Sequence, residues 1–142
     1  MKFFKQLSLL LISLTFFACS IKTAEHMESK NSAFALIQKK WQLESIDGIP
    51  VSAETDSSLT VDAQGQATGK LACNNFFGRL ALKDNTLKID AMGSTRMLCP
   101  GEMNQVERIL SSVLNDWSDI HLTDNRLSLS GKKHRLSYYA ER

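Results

Sequence analysis

The sequence predicts a mainly β protein of the α+β class: an antiparallel sheet curled toward a barrel, with one amphipathic helix. Three observations predict this fold. Short segments alternate apolar and polar residues, turn residues separate those segments, and a single stretch has helical spacing. Because short hairpin strands need a cover for their apolar face, one helix packed on the sheet completes the architecture. A chain of 142 residues is long enough to bury such a core.

The strands are predicted from period-two alternation, which places successive side chains on opposite faces of a sheet. The alternating apolar pairs are, in chain order, Trp41 and Leu43, Leu59 and Val61, Leu80 and Leu82, Leu87 and Ile89, Ile120 and Leu122, Leu127 and Leu129, and Leu136 and Tyr138. Between the segments lie Asp47-Gly48, Gln64-Gly65, Asp84-Asn85, Asp124-Asn125 and Gly131-Lys132. Since Gly, Asn and Asp tolerate the backbone of tight hairpin turns, the strands are expected to pair antiparallel.

One segment changes period and predicts the helix. From Glu102 to Trp117 the apolar residues form a single helical face, made of Met103, Val106, Ile109, Leu110, Val113, Leu114 and Trp117. Pro100 suits the start of this helix, and Glu102 favours its positive end. The apolar face is expected to cover the sheet rather than bind a partner. A short preceding helical turn is also expected, formed by Ala33, Phe34, Ile37 and Trp41.

Residues 1–18 are expected to be an export signal. Lys2 and Lys5 form a positive start, and the apolar run that follows is shorter than the roughly 20 residues that cross a bilayer. The sequence Phe16-Phe17-Ala18-Cys19 resembles a lipobox, in which a small residue precedes an acylated cysteine. The alternative, a soluble periplasmic protein, needs a small residue where Phe16 stands.

The lipobox makes Cys19 the expected site of fatty acylation, for example by palmitate. Acyl chains on this residue would tether the protein to a membrane. Ser20, rather than Asp, follows the cysteine and favours the outer membrane, with the protein facing the periplasm. The predicted organisation is a signal peptide over 1–18, a lipid-anchored N terminus and flexible tether over 19–39, and one domain over 40–142.

Charge excludes one class of partner. Two of the 17 lysines and arginines, Lys2 and Lys5, precede Cys19, so the remaining 15 balance the 15 Asp and Glu. A neutral mature protein has no general attraction for nucleic acid. The expected partners are the membrane, through the lipid, and an unidentified envelope protein, with the chain itself a monomer.

Cys73 and Cys99 remain once Cys19 is assigned to lipid. A pair of cysteines on the exported side of the membrane is expected to form a disulfide. Closing a loop of this length contributes about 3–4 kcal/mol in the chain-entropy account. A zinc site is not expected because two further ligands at suitable spacing are missing. No metal or cofactor is predicted.

The sequence contains no recognisable catalytic set. It has no Gly-rich phosphate loop, HExxH or GxSxG motif. His121 shares strand parity with polar neighbours and is expected to face solvent, and His134 stands among basic residues. An enzyme is therefore not expected.

Three segments resemble the META domain family. Residues 41–50 look like its opening strand and turn, and 69–78 like its Gly-x-x-x-Cys-Asn-x-Phe-x-Gly segment. Residues 94–99 look like its Thr-(Arg/Lys)-Met-x-Cys segment, which a Glu-bearing helix follows. The match covers about residues 40–139 and is most similar to the heat-inducible HslJ lipoproteins. It implies an antiparallel barrel-like fold with one helix, and a link to heat stress and novobiocin tolerance, without a catalytic mechanism.

The two cysteine segments also contain the candidate recognition residues, which are Asn74, Phe76, Gly78, Thr95 and Arg96. Structural support is the favoured interpretation: Asn74 and Thr95 can bond backbone groups of irregular loops, and Arg96 can pair with an acid or an aromatic ring. The alternative is that both loops, joined by the disulfide, form one recognition surface.

Three functions follow from these patterns. The first is a non-catalytic, stress-associated envelope lipoprotein that binds an envelope partner. The second is an inhibitor or binder of proteases, since small rigid β domains present loops well. The third is a carrier of a small apolar ligand, which requires an interior cavity of at least about 300 Å³. Large residues, namely Trp41, Phe77, Leu80 and Leu82, are expected to fill that interior instead.

Overall fold

The computed structural model describes Leu36 and residues 39–141. In this part of the chain the elements are β1 Lys40–Ile46, β2 Ile49–Pro50, β3 Ser58–Val61, β4 Gln66–Lys70, β5 Asn75–Lys83, β6 Thr86–Ser94, α1 Gly101–Leu114, β7 Ser118–Leu122, β8 Arg126–Ser130 and β9 Arg135–Ala140. The predicted signal peptide, Cys19, most of the tether and three residues of the expected helical turn, Ala33, Phe34 and Ile37, lie outside the described residues. The fourth, Trp41, belongs to β1 and is not helical. No helix within the described part is long and apolar enough to cross a membrane.

Eight of the strands close into an antiparallel barrel. They follow the order β1-β3-β4-β5-β6-β7-β8-β9, and β9 returns to pair with β1, where Leu43 lies opposite Tyr138. The short β2 stands outside this ring and pairs only with the end of β1. The predicted mainly β fold with an antiparallel, barrel-like sheet and a single helix is confirmed.

The barrel interior is filled by the inward residues of the alternating strands. In β1, buried and less buried residues alternate as the sequence pattern predicts. The buried interior residues include Trp41, Leu43, Leu59, Val61, Phe76, Leu87, Ile89, Leu127, Leu129, Leu136 and Tyr138. At about 25 cal/mol for each Å² of apolar surface, their burial is the main stabilising contribution to the fold.

The expectation that Phe77, Leu80 and Leu82 fill the interior is wrong for Phe77 and only partly right for the two leucines. Phe76 points inward, so the next side chain along β5 points outward, and Phe77 is 55% exposed. Its ring covers Gly93 of β6, where a Cβ would lie 2.6 Å from a ring carbon. A register shift between β5 and β6 follows at once, and Leu80 and Leu82 are half-buried.

The helix α1 packs against β6 and β9. Leu110, Val113 and Leu114 are buried beneath it, as the apolar face predicted. The helix ends at Leu114, three residues earlier than predicted. The Asn115 N–H still donates to the Ser111 carbonyl, and the Ser118 hydroxyl donates to the Val113 carbonyl of the last turn at 2.9 Å. Trp117 therefore lies beyond the helix, where the Lys88 ammonium stands 5.1 Å from its ring centroid.

The barrel has two unlike ends. The first, here called the turn end, is where β1 begins and where three short connections lie, residues 62–65, 84–85 and 123–125. The second, here called the loop end, carries residues 47–48, 51–57, 71–74, 95–117 with α1, and 131–134. Leu36, which precedes β1, is fully buried, and its carbonyl accepts a hydrogen bond from the Trp41 indole at 3.3 Å.

Candidate functional site

The two cysteine segments meet at the loop end. Cys73 follows β4 and Cys99 precedes α1, and a disulfide joins them with their Cα atoms 6.0 Å apart, as predicted. This link binds two loops that are separated by 26 positions in the sequence. It brings Asn74 and Thr95, two of the predicted recognition residues, into one cluster.

Asn74 is the centre of that cluster and is only 4% exposed. Its Oδ1 accepts hydrogen bonds from the Thr95 hydroxyl at 2.8 Å and the Met97 N–H at 2.7 Å. Its Nδ2 lies 3.2 Å from the Met97 carbonyl and 2.9 Å from Glu107 Oε2. A single amide side chain thus holds both backbone groups of Met97, which makes Asn74 a structural residue rather than a contact surface.

Glu107 reaches this cluster from α1. Its Oε1 accepts hydrogen bonds from the backbone N–H of Cys73 at 3.0 Å and of Asn74 at 2.6 Å. Burial by itself would raise the pKa of this carboxyl, but hydrogen bonds from the Asn74 side chain and from the 72–74 backbone outweigh it, so the pKa lies below its usual value. Two backbone donors of an irregular loop are thereby satisfied by one charged group.

Sequence reasoning missed Glu107. The only signal was that the family's second cysteine segment is followed by a Glu-bearing helix. Helical spacing separates the apolar face from the polar one, but it does not say which polar residue meets a loop more than 30 positions earlier.

Thr95 completes the contact between the two segments. Its hydroxyl accepts a hydrogen bond from the Asn75 N–H at 3.1 Å, and its own N–H donates to the Asn75 carbonyl at 3.0 Å. Arg96 is exposed, and none of the ion pairs or cation–ring contacts found among the described residues includes it. The pairing considered for Arg96 is thus not among the contacts of the described residues.

Phe76 and Gly78 belong to the barrel wall. Phe76 is buried in the interior, and Gly78 lies where β5 and β6 approach closely. A Cβ at Gly78 would stand 2.9 Å from the Asp90 carbonyl oxygen, and one at Gly69 would stand 1.9 Å from that of Ser58. These positions need glycine for packing, so the structural interpretation accounts for them.

What the cluster presents to solvent is a pair of apolar side chains. Residues 95–99, here called the clamped loop, are held by the disulfide, by Asn74 and by Asn104, whose side-chain amide donates to the Cys99 carbonyl at 2.8 Å. On the outer side of this loop Met97 is 56% exposed and Leu98 is 97% exposed. A rigid backbone therefore displays two large apolar residues.

The cluster does not suit a metal ion. The potential ligand atoms of Cys73, Cys99 and Glu107 lie within 4.8 Å of one another. The two sulfur atoms are bonded to each other, and the carboxylate oxygens already accept hydrogen bonds from the loop. One occupied carboxylate is too few ligands for a zinc or calcium site.

A second polar pair lies at the same end. His134 Nδ1 stands 2.7 Å from Asp47 Oδ2, and Asp47 Oδ1 accepts the Arg135 N–H at 2.7 Å. The hydrogen bond with His134, followed by that from Arg135, lowers the pKa of Asp47. Sequence analysis placed His134 among cations and missed this carboxylate. In the described part of the chain no Ser, Thr or Cys side chain hydrogen-bonds to the His134 ring.

Comparison with known proteins places this geometry in a family. The META domain matches residues 34–142. Heat shock protein HslJ of Escherichia coli (strain K12) is 27% identical over 100 residues, which span 70% of this chain and 71% of that protein.

Solved structures share the fold. One NMR structure has a TM-score of 0.65 at 27% identity, covering 73% of this chain and 90% of the other. An NMR structure of a protein from Burkholderia xenovorans has a TM-score of 0.63 at 23% identity, covering 78% of this chain and 87% of the other. A DUF4847 family protein from Bacteroides vulgatus ATCC 8482 reaches 0.52 at 13% identity, covering 73% and 93%. The last two show the fold alone. The chain belongs to the META domain family and is HslJ-like within it.

Proposed function

We propose that this protein is a heat-shock-associated, non-catalytic lipoprotein of the bacterial envelope, and that it binds an envelope protein through the clamped loop. The observation that carries the proposal is Leu98, which is 97% exposed on a backbone held from behind by Asn74 and the disulfide. The similarity to heat shock protein HslJ supports the stress association. Tolerance of heat and of novobiocin is the expected cellular role.

The energetics favour a binding role for this loop. Fully burying a leucine side chain contributes about 1.5–3 kcal/mol, and Met97 adds further apolar area. Ordering a mobile loop on binding costs free energy. A loop that is already rigid avoids most of this cost. Large apolar residues on such a backbone are therefore suited to be the centre of a protein interface.

The proposed anchor is compatible with this geometry. We propose that Cys19 carries fatty acyl chains in the outer membrane, with the domain as a monomer on the periplasmic side. Since β1 begins at the turn end, the tether joins the barrel at the end opposite the clamped loop. Because Leu36 is buried, the stretch between the lipid and the barrel is residues 19–35, which span at most about 60 Å when fully extended, and the clamped loop can face away from the membrane.

Crosslinking in cells tests the binding site. A photoreactive amino acid at position 98 should yield an adduct with an envelope protein, and the same probe at Tyr139, which is also exposed but lies on β9, should not. Introducing Leu98→Asp should abolish the adduct formed by a probe at position 97. Identical adducts from positions 98 and 139 would refute the clamped loop as the binding site.

Labelling tests the anchor separately. Radioactive palmitate should appear on the wild-type protein and be absent from Cys19→Ala, and globomycin should block processing of the wild-type precursor. A Cys19→Ala strain should then show the same sensitivity to heat and novobiocin as a deletion strain. Full protection by the unacylated protein would contradict the tethered mechanism.

Protease inhibition is the second candidate function, and one observation favours it. Asn74 bonds both the N–H and the carbonyl of Met97, and the disulfide fixes the loop one residue beyond Leu98. A loop held in this way keeps its shape when a protease active site closes on it. Near-stoichiometric inhibition of a serine, cysteine or metalloprotease by the purified protein would establish this role, and Leu98→Asp should remove it.

A carrier of small apolar ligands is less well supported. The interior positions of the described barrel are taken by Trp41, Phe76, Tyr138 and several leucines. Two depressions in the described part of the chain, one beside α1 and one beside the 131–134 turn, both open at the surface.

A further inference from the structure

A groove of about 620 Å³ lies at the loop end, between β2 with its following loop and the first half of α1. Its volume is within the range of about 300–1,000 Å³ that is usual for ligand sites. The apolar side chains that line it are Ile46, Ile49, Val51, Met103, Val106 and Ile109. Ile49 is 72% exposed, so an occupant would bury apolar surface that now faces water.

The charged side chains around this groove are predominantly acidic. Asp47, Glu54 and Glu102 contribute carboxylates, and the one basic side chain, His134, is already hydrogen-bonded to Asp47. Glu54 and Glu102 are exposed, and within the described residues neither takes part in an ion pair. An apolar occupant that also carried positive charge would complement both features.

Two backbone features distinguish a peptide from a lipid chain as the occupant. The strand β2 ends the sheet and has a neighbour on one side only; because Pro50 has no N–H, this short edge can offer a carbonyl acceptor to a peptide but no donor from Pro50. The helix α1 begins beside the groove after Pro100 without a side-chain cap, and the first N–H groups of any helix lack partners within it. Peptide groups can hydrogen-bond to such backbone atoms, whereas an acyl chain cannot.

We propose that this groove binds a short peptide segment of a partner protein, one in which apolar side chains are flanked by lysine or arginine. This site is separate from the clamped loop, and the proposal goes beyond the proposed function because it does not require Leu98. The apolar lining holds the aliphatic side chains of the peptide. Glu54 and Glu102 select the basic flanks.

The test uses the full acylated chain in lipid nanodiscs, with methyl groups of isoleucine, valine and methionine labelled for NMR. The probe is a synthetic peptide of sequence Lys-Leu-Ile-Val-Leu-Lys with blocked ends, compared with Glu-Leu-Ile-Val-Leu-Glu. We expect saturable shifts of the Ile49, Val51 and Met103 methyls with the basic peptide and none at Met97. The acidic peptide should bind at least tenfold more weakly than the basic one. Added salt should reduce this difference in affinity because it screens the charges.

Charge reversal provides the decisive variant. Glu54→Lys combined with Glu102→Lys should invert the preference, so that the acidic peptide binds more tightly. Asp124→Lys, an exposed acidic position at the turn end, is the matched control and should leave the preference unchanged. Unaltered methyl signals of Val61 and Ile120, both inside the barrel, establish that the variants fold.

The other outcomes overturn the proposal. Equal affinity for the two peptides would exclude selection by the acidic residues. Groove shifts that arise from nanodisc lipid before any peptide is added would identify an acyl chain as the occupant, and shifts that depend on protein concentration would identify a second copy of the chain. Shifts at Met97 alone would place peptide binding at the clamped loop, which supports the proposed function and refutes the groove.

Discussion

The two ends of the barrel differ in how much of their loop structure rests on long-range contacts. At the turn end, the 62–65 turn is held locally, since Asp62 Oδ1 accepts hydrogen bonds from the N–H groups of Gln64 and Gln66, and one long-range pair, the Asn85 side chain with the Ile120 carbonyl, joins two neighbouring strands. At the loop end, Glu107 bonds the N–H of Asn74, which is 33 residues away, and the disulfide spans 26. The exposed apolar side chains of the clamped loop and the acidic groove both lie at the second end. The candidate sites thus occur where distant segments meet.

Removing the disulfide should give the largest effect on stability. Cys73→Ser with Cys99→Ser releases a loop of 26 residues, and we expect the free energy of unfolding to fall by about 3.5 kcal/mol. Urea denaturation of the two proteins measures the difference. A loss below about 1 kcal/mol would mean that hydrogen bonds alone hold the loop end.

Asn74→Ala should rank next, at about 3 kcal/mol. Without the Asn74 side chain, the Met97 N–H and one Glu107 oxygen lose a hydrogen-bond partner in a site that is nearly closed to water. Buried polar groups without partners lower the free energy of unfolding. Asn125→Ala, an exposed position at the turn end, is the control and should cost no more than about 0.5 kcal/mol. Equal losses at Asn74 and Asn125 would contradict the proposed difference between the ends.

Glu107→Gln should destabilise the protein by about 2 kcal/mol at pH 7, because a charged acceptor of several hydrogen bonds becomes neutral. Since the pKa of Glu107 is lowered by folding, its contribution is present above the unfolded pKa of about 4.3 and is lost as the pH falls through the folded value. The wild-type protein should therefore lose more stability than Glu107→Gln between pH 6 and pH 3. If the free energies of unfolding of the two proteins fell in parallel with pH, Glu107 would not be responsible for the loss of stability in acid.

Asp62→Ala tests the turn end directly. Losing the acceptor of two backbone N–H groups should cost about 1 kcal/mol, since water replaces it at this exposed position. Thermal unfolding measures the effect. A cost as large as that of Asn74→Ala would abolish the distinction between local and long-range contacts.

Leu98→Asp should have the smallest effect on stability, within about 0.5 kcal/mol, because the side chain touches solvent almost everywhere. The same change should eliminate partner crosslinking. Chemical denaturation measures the stability of the variant, and the crosslinking yield measures its binding to the partner. Marked destabilisation by Leu98→Asp would assign this residue to the fold instead of to binding.

The elements that sequence reasoning predicted well are those with local causes. The inward residues of β1, β3 and β9 follow period-two alternation, and Asp47-Gly48 forms the expected hairpin turn with positive φ at both residues. The predictions that failed depend on neighbours. Phe77 lies outside because its neighbour Phe76 occupies the inward position of β5, and Trp117 lies beyond α1 because the helix ends at Leu114. Alternation places neighbouring residues on opposite faces, but it does not say which of the two phenylalanines faces the interior, and helical spacing does not say where a helix ends.

The amino-acid sequence by itself determined which apolar residues alternate within the strands and where the turns lie. It also determined the apolar face of the helix and the pairing of Cys73 with Cys99. Each of these follows from side-chain spacing, backbone preference or the number of cysteines, which are properties of neighbouring residues or of simple counting. Tertiary structure alone decided that Asn74 and Glu107 hold the clamped loop, and that β2 and α1 enclose an acidic groove. These contacts join segments far apart in the chain, and only closure of the barrel brings their atoms within bonding distance.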